Sequence, residues 1–310
     1  MLNNKKRFMN HFLEINQLSR QQIESIVNRA IYFKQYNNYP TYAQHTVANL
    51  FYENSTRTRV SFELAANRLS MPVVNLDQRS SSETKGEVIE DTIQTLAAMG
   101  IQYFVIRHWQ DGLQQSLADK FDNDVHIINA GDGRHAHPSQ ALLDMMTIIE
   151  QKPKLDQLKI AVLGNIRHSR VANSFQCICA QLGIGELVLV APEIWQPQTV
   201  HYGRVTDNLR DGLADADVVM CLRVQHERLL ESDHLDIDSY RRDFALTTMN
   251  LAYAKPDVMV MHPGPINRGV EIDSDIADGA HSFILRQVAN GVFIRMAIFD
   301  ALVSSFRSKN

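Results

Sequence analysis

The sequence predicts an α/β protein of two doubly wound parallel-sheet domains, with the C-terminal helix packing back toward the first domain. Apolar runs of strand length alternate with amphipathic runs of helix length from end to end, which is the pattern of βαβ units. The 310 residues suffice for two separate cores. A polar stretch holding a proline, residues 151–157, breaks the series and precedes a fresh strand. The expected division is a first domain over 1–150, a second over 151–285, and a returning helix over 286–310.

Ser19 caps the first helix, Gln22 completes a capping box, and Leu18 and Ile23 form a hydrophobic staple. Its apolar face continues to about Tyr36. The run 47–52 is a strand, and the loop Ser55-Thr56-Arg57-Thr58-Arg59 follows it. Ser55 is the N-cap of an amphipathic helix that reaches Leu69. Next come a strand over 72–76, a polar loop over 77–84, and a helix over 87–99 that Gly100 ends. A strand over 101–106 delivers Arg107 and His108 at its end. A helix near 113–120, a strand over 125–129 and a loop over 130–136 lead to a helix that runs to Ile149. Pro138 suits the first turn of that helix, where its missing N–H costs nothing. The second half reads as strand 159–163, helix 168–182 ended by Gly183, strands 187–190, 218–222 and 258–261, and a final helix over 284–306.

Hydrophobic residues at 45% and charged residues at 21% fit an ordinary soluble globular protein. The net charge of −4 argues against a general nucleic-acid binder, so an anion site must come from local placement of Arg and Lys. Cys177, Cys179 and Cys221 form no C-x-x-C pair and no even disulfide framework, which points to inert thiols in a reducing compartment. The N-terminus has charge without an apolar core, and no apolar run approaches membrane-span length. A cytoplasmic protein without membrane or nucleic-acid partners is expected.

Chemistry-bearing residues gather where strands end, which is where open parallel sheets bind ligands. The Ser55–Arg59 stretch sets backbone N–H groups, hydroxyls and two guanidinium groups at a helix start, a phosphate cradle without a glycine-rich loop. The plainer reading is an N-cap with two surface arginines. Residues 80–87 are either a solvated loop or a flap in which Ser81 and Lys85 close over an anion. In the stretch 129–140, two glycines permit close backbone approach to a ligand. His137 and Gln140, three apart at a helix start, offer an imidazole donor and an amide, which suits a carbonyl bearing an NH₂ group. A metal held by His135 and His137 is the alternative, and it lacks a nearby third ligand. Residues 163–170 follow a strand without the G-x-G-x-x-G spacing of a dinucleotide loop. Arg170 there is either a ligand-binding or a surface arginine. Arg223 and Gln225 at a strand end either grip a carboxylate or open a polar loop. The turn His262-Pro263-Gly264-Pro265 either presents carbonyls to an amide or only reverses the chain.

FYENSTRTRVSFELAANRL, the KGE segment, NAGDG with HPSQALLD, HSRVANS, RVQHER and MHPGPINRGVEI occur in this order. Together they resemble the aspartate/ornithine carbamoyltransferase family from about residue 10 to the end. Ornithine-type members usually show an S-M-G-like segment where this chain has Arg223-Val-Gln225, and H-C-L-P where it has His262-Pro-Gly-Pro265. They also lack the lysine matched by Lys85, so the resemblance is to the aspartate type. It implies carbamoyl transfer from carbamoyl phosphate to L-aspartate in de novo pyrimidine synthesis, by direct attack with oxyanion stabilisation and no covalent enzyme intermediate. No metal or organic cofactor is required. Ser55, Thr56, Arg57, Thr58, Ser81, Arg107, His137, Gln140, Pro263 and Gly264 would bind carbamoyl phosphate. Lys85, Arg170, Arg223, Gln225 and Gly264 would bind aspartate. The catalytic set would be Arg57, Thr58, Lys85, Arg107, His137 and Gln140. The resemblance also implies a homotrimer in which Ser81 and Lys85 come from a neighbouring subunit, and leaves a regulatory chain as an open partner. Two positions depart from the pattern: Thr84 stands where some members have a second lysine, and Gly264 where some have a bulkier residue.

Overall fold

The computed structural model describes residues 9–76, 88–121, 125–224 and 235–307. The chain divides into two compact units, Met1–Ser139 with Gly291–Asn310 and Gln140–Asn290. The first unit runs α1 (Arg20–Tyr36), β1 (Val47–Phe51), α2 (Thr56–Arg68), β2 (Val73–Leu76), α3 (Ile89–Ala98), β3 (Tyr103–His108), α4 (Leu113–Lys120) and β4 (His126–Asp132). Helix α5 (Pro138–Ile149) starts in this unit and continues into the second. Among the described residues its sheet has four parallel strands in the order β2-β1-β3-β4. Strands β1 and β3 are buried at every position, which is why they read as apolar runs rather than as alternation. Ala48, Leu50, Ile93, Phe104, Ile106, Leu117 and Ile127 make one core with them.

The second unit continues with β5 (Lys159–Leu163), α6 (Arg170–Leu182), β6 (Glu186–Val190), β7 (Arg204–Thr206), α7 (Leu209–Leu213), β8 (Val218–Cys221), α8 (Ile237–Phe244), α9 (Thr248–Leu251), β9 (Met259–Met261), α10 (Ser274–Ala277) and the start of α11 (Ile284–Arg307). Its sheet is parallel as well, in the order β7-β6-β5-β8-β9. Leu163, Val188, Val190, Val219, Cys221 and Val260 centre its core. Cys179 and Cys221 are buried, and burial pushes both thiols up, away from the reactive thiolate form.

Local chemistry explains where the elements begin and end. The Ser19–Gln22 capping box forms as expected. Helix α6 starts at Arg170 rather than His168, because the Ser169 hydroxyl accepts from the Ala172 N–H and sets the cap there. Strand β4 runs on to Asp132, beyond the expected end at Asn129. The Asp132 carboxylate holds this extension by accepting from the N–H groups of Gly112 and Ala136. His135 belongs to the same corner, with Nδ1 3.1 Å from Asp132 and Nε2 3.6 Å from Glu14. Its hydrogen bond to Asp132 raises the imidazole to about 9, against the opposing effect of partial burial.

Helix α11 corrects one expectation: by length and composition it is long and apolar enough to cross a membrane. In this structure 61% of that window is buried within the protein, as for a core helix. The part beyond Gly291 packs on helices of the first unit. The Phe299 and Phe62 rings meet edge-on at 6.0 Å, Arg295 lies 4.8 Å over the Phe62 ring, and Asp300 pairs with Arg29 at 2.9 Å. The C-terminal helix thus returns to α1 and α2.

Two outcomes test these contacts. Phe299→Ala should cost about 3–5 kcal/mol in denaturant unfolding. Leu285→Ala on the same helix, at a position 82% exposed, should change stability by no more than about 0.5 kcal/mol. The second outcome concerns His135. Its pKa is raised from 6.5 on folding, so its stabilisation is complete below that pH and is lost as pH rises toward 9. The unfolding-temperature gap between wild type and His135→Gln should be largest below pH 6.5 and close between 6.5 and 9. The gap should be small, because the ring is 42% exposed and solvent screens the pair.

Candidate active site

In the first unit the chain leaves β1 for β2 on one side and later returns to β3 on the other. The strand order therefore reverses between β1 and β3, the position where parallel sheets hold ligands. Phe51 and Arg107 are partners in register, so the Ser55 loop and Arg107 leave neighbouring strand tips. Arg107 is 9% exposed. Its Nη1 donates to the Ala130 carbonyl at 3.2 Å, and its Nε lies 3.3 Å from the Glu53 carboxylate. One guanidinium thus spans the loop after β1 and the end of β4. Burial holds the neighbouring His108 imidazole below its ordinary value against the pull of Glu53, and its Nδ1 accepts from the Gln110 N–H at 3.0 Å.

Thr56 and Arg57 are exposed on the first turn of α2, and Thr58 is buried. Ser55 occupies the N-cap position, yet its hydroxyl makes no capping hydrogen bond. This first turn has no acidic residue and carries Arg57 and Arg59 instead. Helix starts ordinarily favour Asp or Glu, because the dipole and the first N–H groups attract negative charge. The arrangement suits an anion supplied from outside the helix. His137 is buried immediately before Pro138 at the start of α5, whose first turn is also without acids. Gly133 makes a close approach within the chain itself. A Cβ there would collide with the Asp111 carboxylate and stand 2.9 Å from the Trp109 carbonyl oxygen. Its close approach is to the β3–α4 connection.

The second unit repeats the logic. Its chain passes from β5 outward through β6 and β7 and returns to β8 on the other side of β5. Leu163 pairs with Cys221 at the reversal. Arg170 opens α6 after β5 and is 5% exposed, again with no acid in the first turn. Arg223 follows β8 and is half-buried. Gly164 has φ +122, and a Cβ there would lie 3.0 Å from the Leu222 carbonyl oxygen. This glycine answers to the crowding of two strand tips, with no dinucleotide loop.

The turn His262–Pro265 leaves β9, the neighbour of β8, and sits on a buried polar network. His262 Nε2 lies 3.1 Å from Glu271 Oε1, and both side chains are fully buried. The Gly264 N–H donates to His262 Nδ1 at 2.8 Å, so the ring proton is on Nε2 and faces Glu271. Glu271 Oε1 also accepts from the Asn267 N–H at 2.6 Å. The Asn267 amide donates to the Val224 carbonyl at 2.9 Å, tying the turn to the chain beside Arg223. Elsewhere the His262 N–H donates to Gln287 Oε1 at 2.9 Å. Gln287 Nε2 and Gln140 Nε2 both donate to Asp144 Oδ1 at 2.8 Å.

The first unit thus gathers Ser55, Thr56, Arg57, Thr58 and Arg107 at adjacent strand tips, and the second gathers Arg170, Arg223, Pro263 and Gly264 in the same way. Ser81, Lys85 and Gln225 lie outside the described residues, as does Thr84. Among the described residues no group of three or more His, Cys, Asp or Glu side chains is placed to hold a metal ion. Asp144, Glu271 and Gln287 were not anticipated from the sequence. A visible signal for Asp144 is its place between apolar neighbours, one helical turn from Gln140.

The carbamoyl-P binding domain model of the aspartate/ornithine carbamoyltransferases matches residues 10–150, and the Asp/Orn binding domain model matches 156–302. The chain is 72% identical over 297 residues to the aspartate carbamoyltransferase catalytic subunit of Legionella pneumophila (strain Corby), covering 96% of this chain and 100% of the relative. Among solved structures it resembles aspartate transcarbamoylase from Trypanosoma cruzi in complex with carbamoyl phosphate and aspartate. The TM-score is 0.83 at 28% identity, over 95% of this chain and 97% of that one. It resembles ornithine carbamoyltransferase from Pyrococcus furiosus to the same degree, with TM-score 0.84 at 25% identity over 96% and 98% of the two chains. The shared architecture therefore does not separate the acceptors, while the sequence likeness falls on the aspartate side. Two parallel sheets with arginine-bearing strand tips, matched along nearly the whole chain by both domain models, make this protein a member of the aspartate/ornithine carbamoyltransferase family.

Proposed function

We propose that the chain transfers the carbamoyl group of carbamoyl phosphate to the amine of L-aspartate, giving N-carbamoyl-L-aspartate and phosphate, a step of de novo pyrimidine synthesis in the cytoplasm. The observation that carries this reading is that Ser55–Thr58 with Arg107, and Arg170 with Arg223, follow the strands at the reversal point of their sheets. The proposed parts are residues 1–150 for carbamoyl phosphate, 151–285 for aspartate, and the helix 286–310 returning to the first.

In this reading Ser55, Thr56, Arg57 and Thr58 take the phosphate at the start of α2, together with Ser81 from a neighbouring subunit of a homotrimer, which also supplies Lys85. Thr58, Arg107 and His137 donate to the carbonyl oxygen, and Gln140 with the Pro263–Gly264 turn accepts from the NH₂ group. Arg170, Arg223 and Gln225, with Lys85 and Gly264, hold the aspartate carboxylates. A cation at the N-terminus of α6 opposes the helix dipole, and a carboxylate ligand offsets that cost.

The amine attacks the carbonyl carbon, a C–N bond forms, and negative charge grows on the carbonyl oxygen. Donors already aimed at that oxygen stabilise the charge without reorganising. The C–O bond to phosphate then breaks, and the departing phosphate takes the amine proton. Bringing both anions together in line supplies much of the remaining acceleration. These side chains act by binding and orientation, without a covalent enzyme intermediate.

Purified protein should carbamoylate L-aspartate and leave L-ornithine unreacted, as product analysis reads directly. Replacing the oxyanion donor in His137→Ala should lower kcat about 100-fold or more. Arg57→Ala and Lys85→Ala chains, each inactive alone, should regain activity when mixed after subunit exchange. Tight phosphate binding without carbamoyl transfer would sink the reading, and mixed chains that exchange without recovery would sink the shared site.

A further inference from the structure

Asp144 is wholly buried on α5, and its Oδ1 accepts from two amides, Gln140 and Gln287. A buried carboxyl is costly unless donors satisfy it, so it holds the NH₂ end of each amide firmly. For Gln140 this fixes which end of the side chain is which. Its NH₂ is committed to Asp144, and Oε1 remains as its acceptor. Gln287 is fixed twice, because the His262 N–H requires its Oε1 and Asp144 takes its Nε2. That anchors the backbone of the turn after β9.

The turn's own geometry completes the arrangement. The Gly264 N–H points at the His262 ring. In a planar trans peptide the carbonyl of the preceding residue points opposite to that N–H. The Pro263 carbonyl therefore faces away from the ring and is available as an acceptor. Two acceptors, Gln140 Oε1 and the Pro263 carbonyl, are thus set from one buried carboxyl.

We propose that Asp144 is a positioning residue which, through Gln140 and through Gln287 and the His262–Gly264 turn, orients the two acceptors that read the NH₂ of the carbamoyl group. This rests on the carbamoyl phosphate reading above. Its consequence is discrimination: the site distinguishes an NH₂ from a methyl group in the same place.

Two phosphonates test it by calorimetric titration. Phosphonoacetamide carries the NH₂, and acetonylphosphonate carries a methyl group instead. Wild type should prefer phosphonoacetamide. In Asp144→Ala that preference should fall about tenfold, the worth of a hydrogen bond or so, while acetonylphosphonate binding stays within about twofold. Asp144→Asn keeps an oxygen at the Oδ1 position and should restore most of the preference. Equal weakening toward both phosphonates, or an unchanged ratio, overturns the assignment, because a purely structural loss cannot favour one over the other. If Asp144→Ala does not fold, Gln287→Met carries the same comparison, and an unchanged ratio there overturns the assignment equally. Wild type binding neither phosphonate would instead overturn the carbamoyl phosphate reading beneath it.

Discussion

Parallel pairing is the constraint from which the rest follows. Parallel strands cannot be joined by a tight hairpin, so every connection crosses a face of the sheet, and helices cover both faces. The inner strands are then buried along nearly their whole length, and their tips are the places left for a ligand. In the first unit the second connection, and in the second unit the third, returns to the opposite side of the first strand. That places Arg107 beside the Ser55 loop, and Arg223 beside the start of α6, without any contact between those side chains being needed.

Buried polar groups need internal partners. Arg107 has Glu53 and the Ala130 carbonyl, Glu271 has His262 and the Asn267 N–H, and Asp144 has two glutamine amides. Removing one member of such a set strands the others away from water, which costs more than the bond itself contributed. These groups therefore lock orientation more than they add net stability. Orientation is what a transfer between two small molecules demands, since little of the barrier can be lowered by a group that moves.

The long elements could be read from the residues because each carried a periodic signal strong enough to outweigh local noise. Helices α1 and α2, the apolar strands β1, β3 and β5, and the returning α11 are of this kind. Strand β7 and helices α7, α9 and α10 span only three to five residues, too short for any period to show. Boundaries shifted where side chains decided them: Ser169 moved the start of α6, and Asp132 prolonged β4. Of the candidate site, the exposed Arg57 and the strand-end Arg107 and Arg223 announced themselves by charge after an apolar run. Asp144 and Gln287 did not, because their meaning lies in a pairing across 143 positions of sequence. The need for glycine at 133 and 164 was hidden for a related reason, since what crowds them is distant in the chain.

The first turns of α2, α5 and α6 have no acidic side chain. An Asp or Glu at such a position typically adds about 0.3–1 kcal/mol by complementing the helix dipole. The chain forgoes that gain at these helices, as it also does at α1, α4, α9 and α11, and at α2, α5 and α6 the uncompensated positive ends stand at the candidate site. Selection for heat resistance alone would thus drift toward carboxylates at positions such as 57 and 170, and the hardier protein would have filled its own binding places with itself.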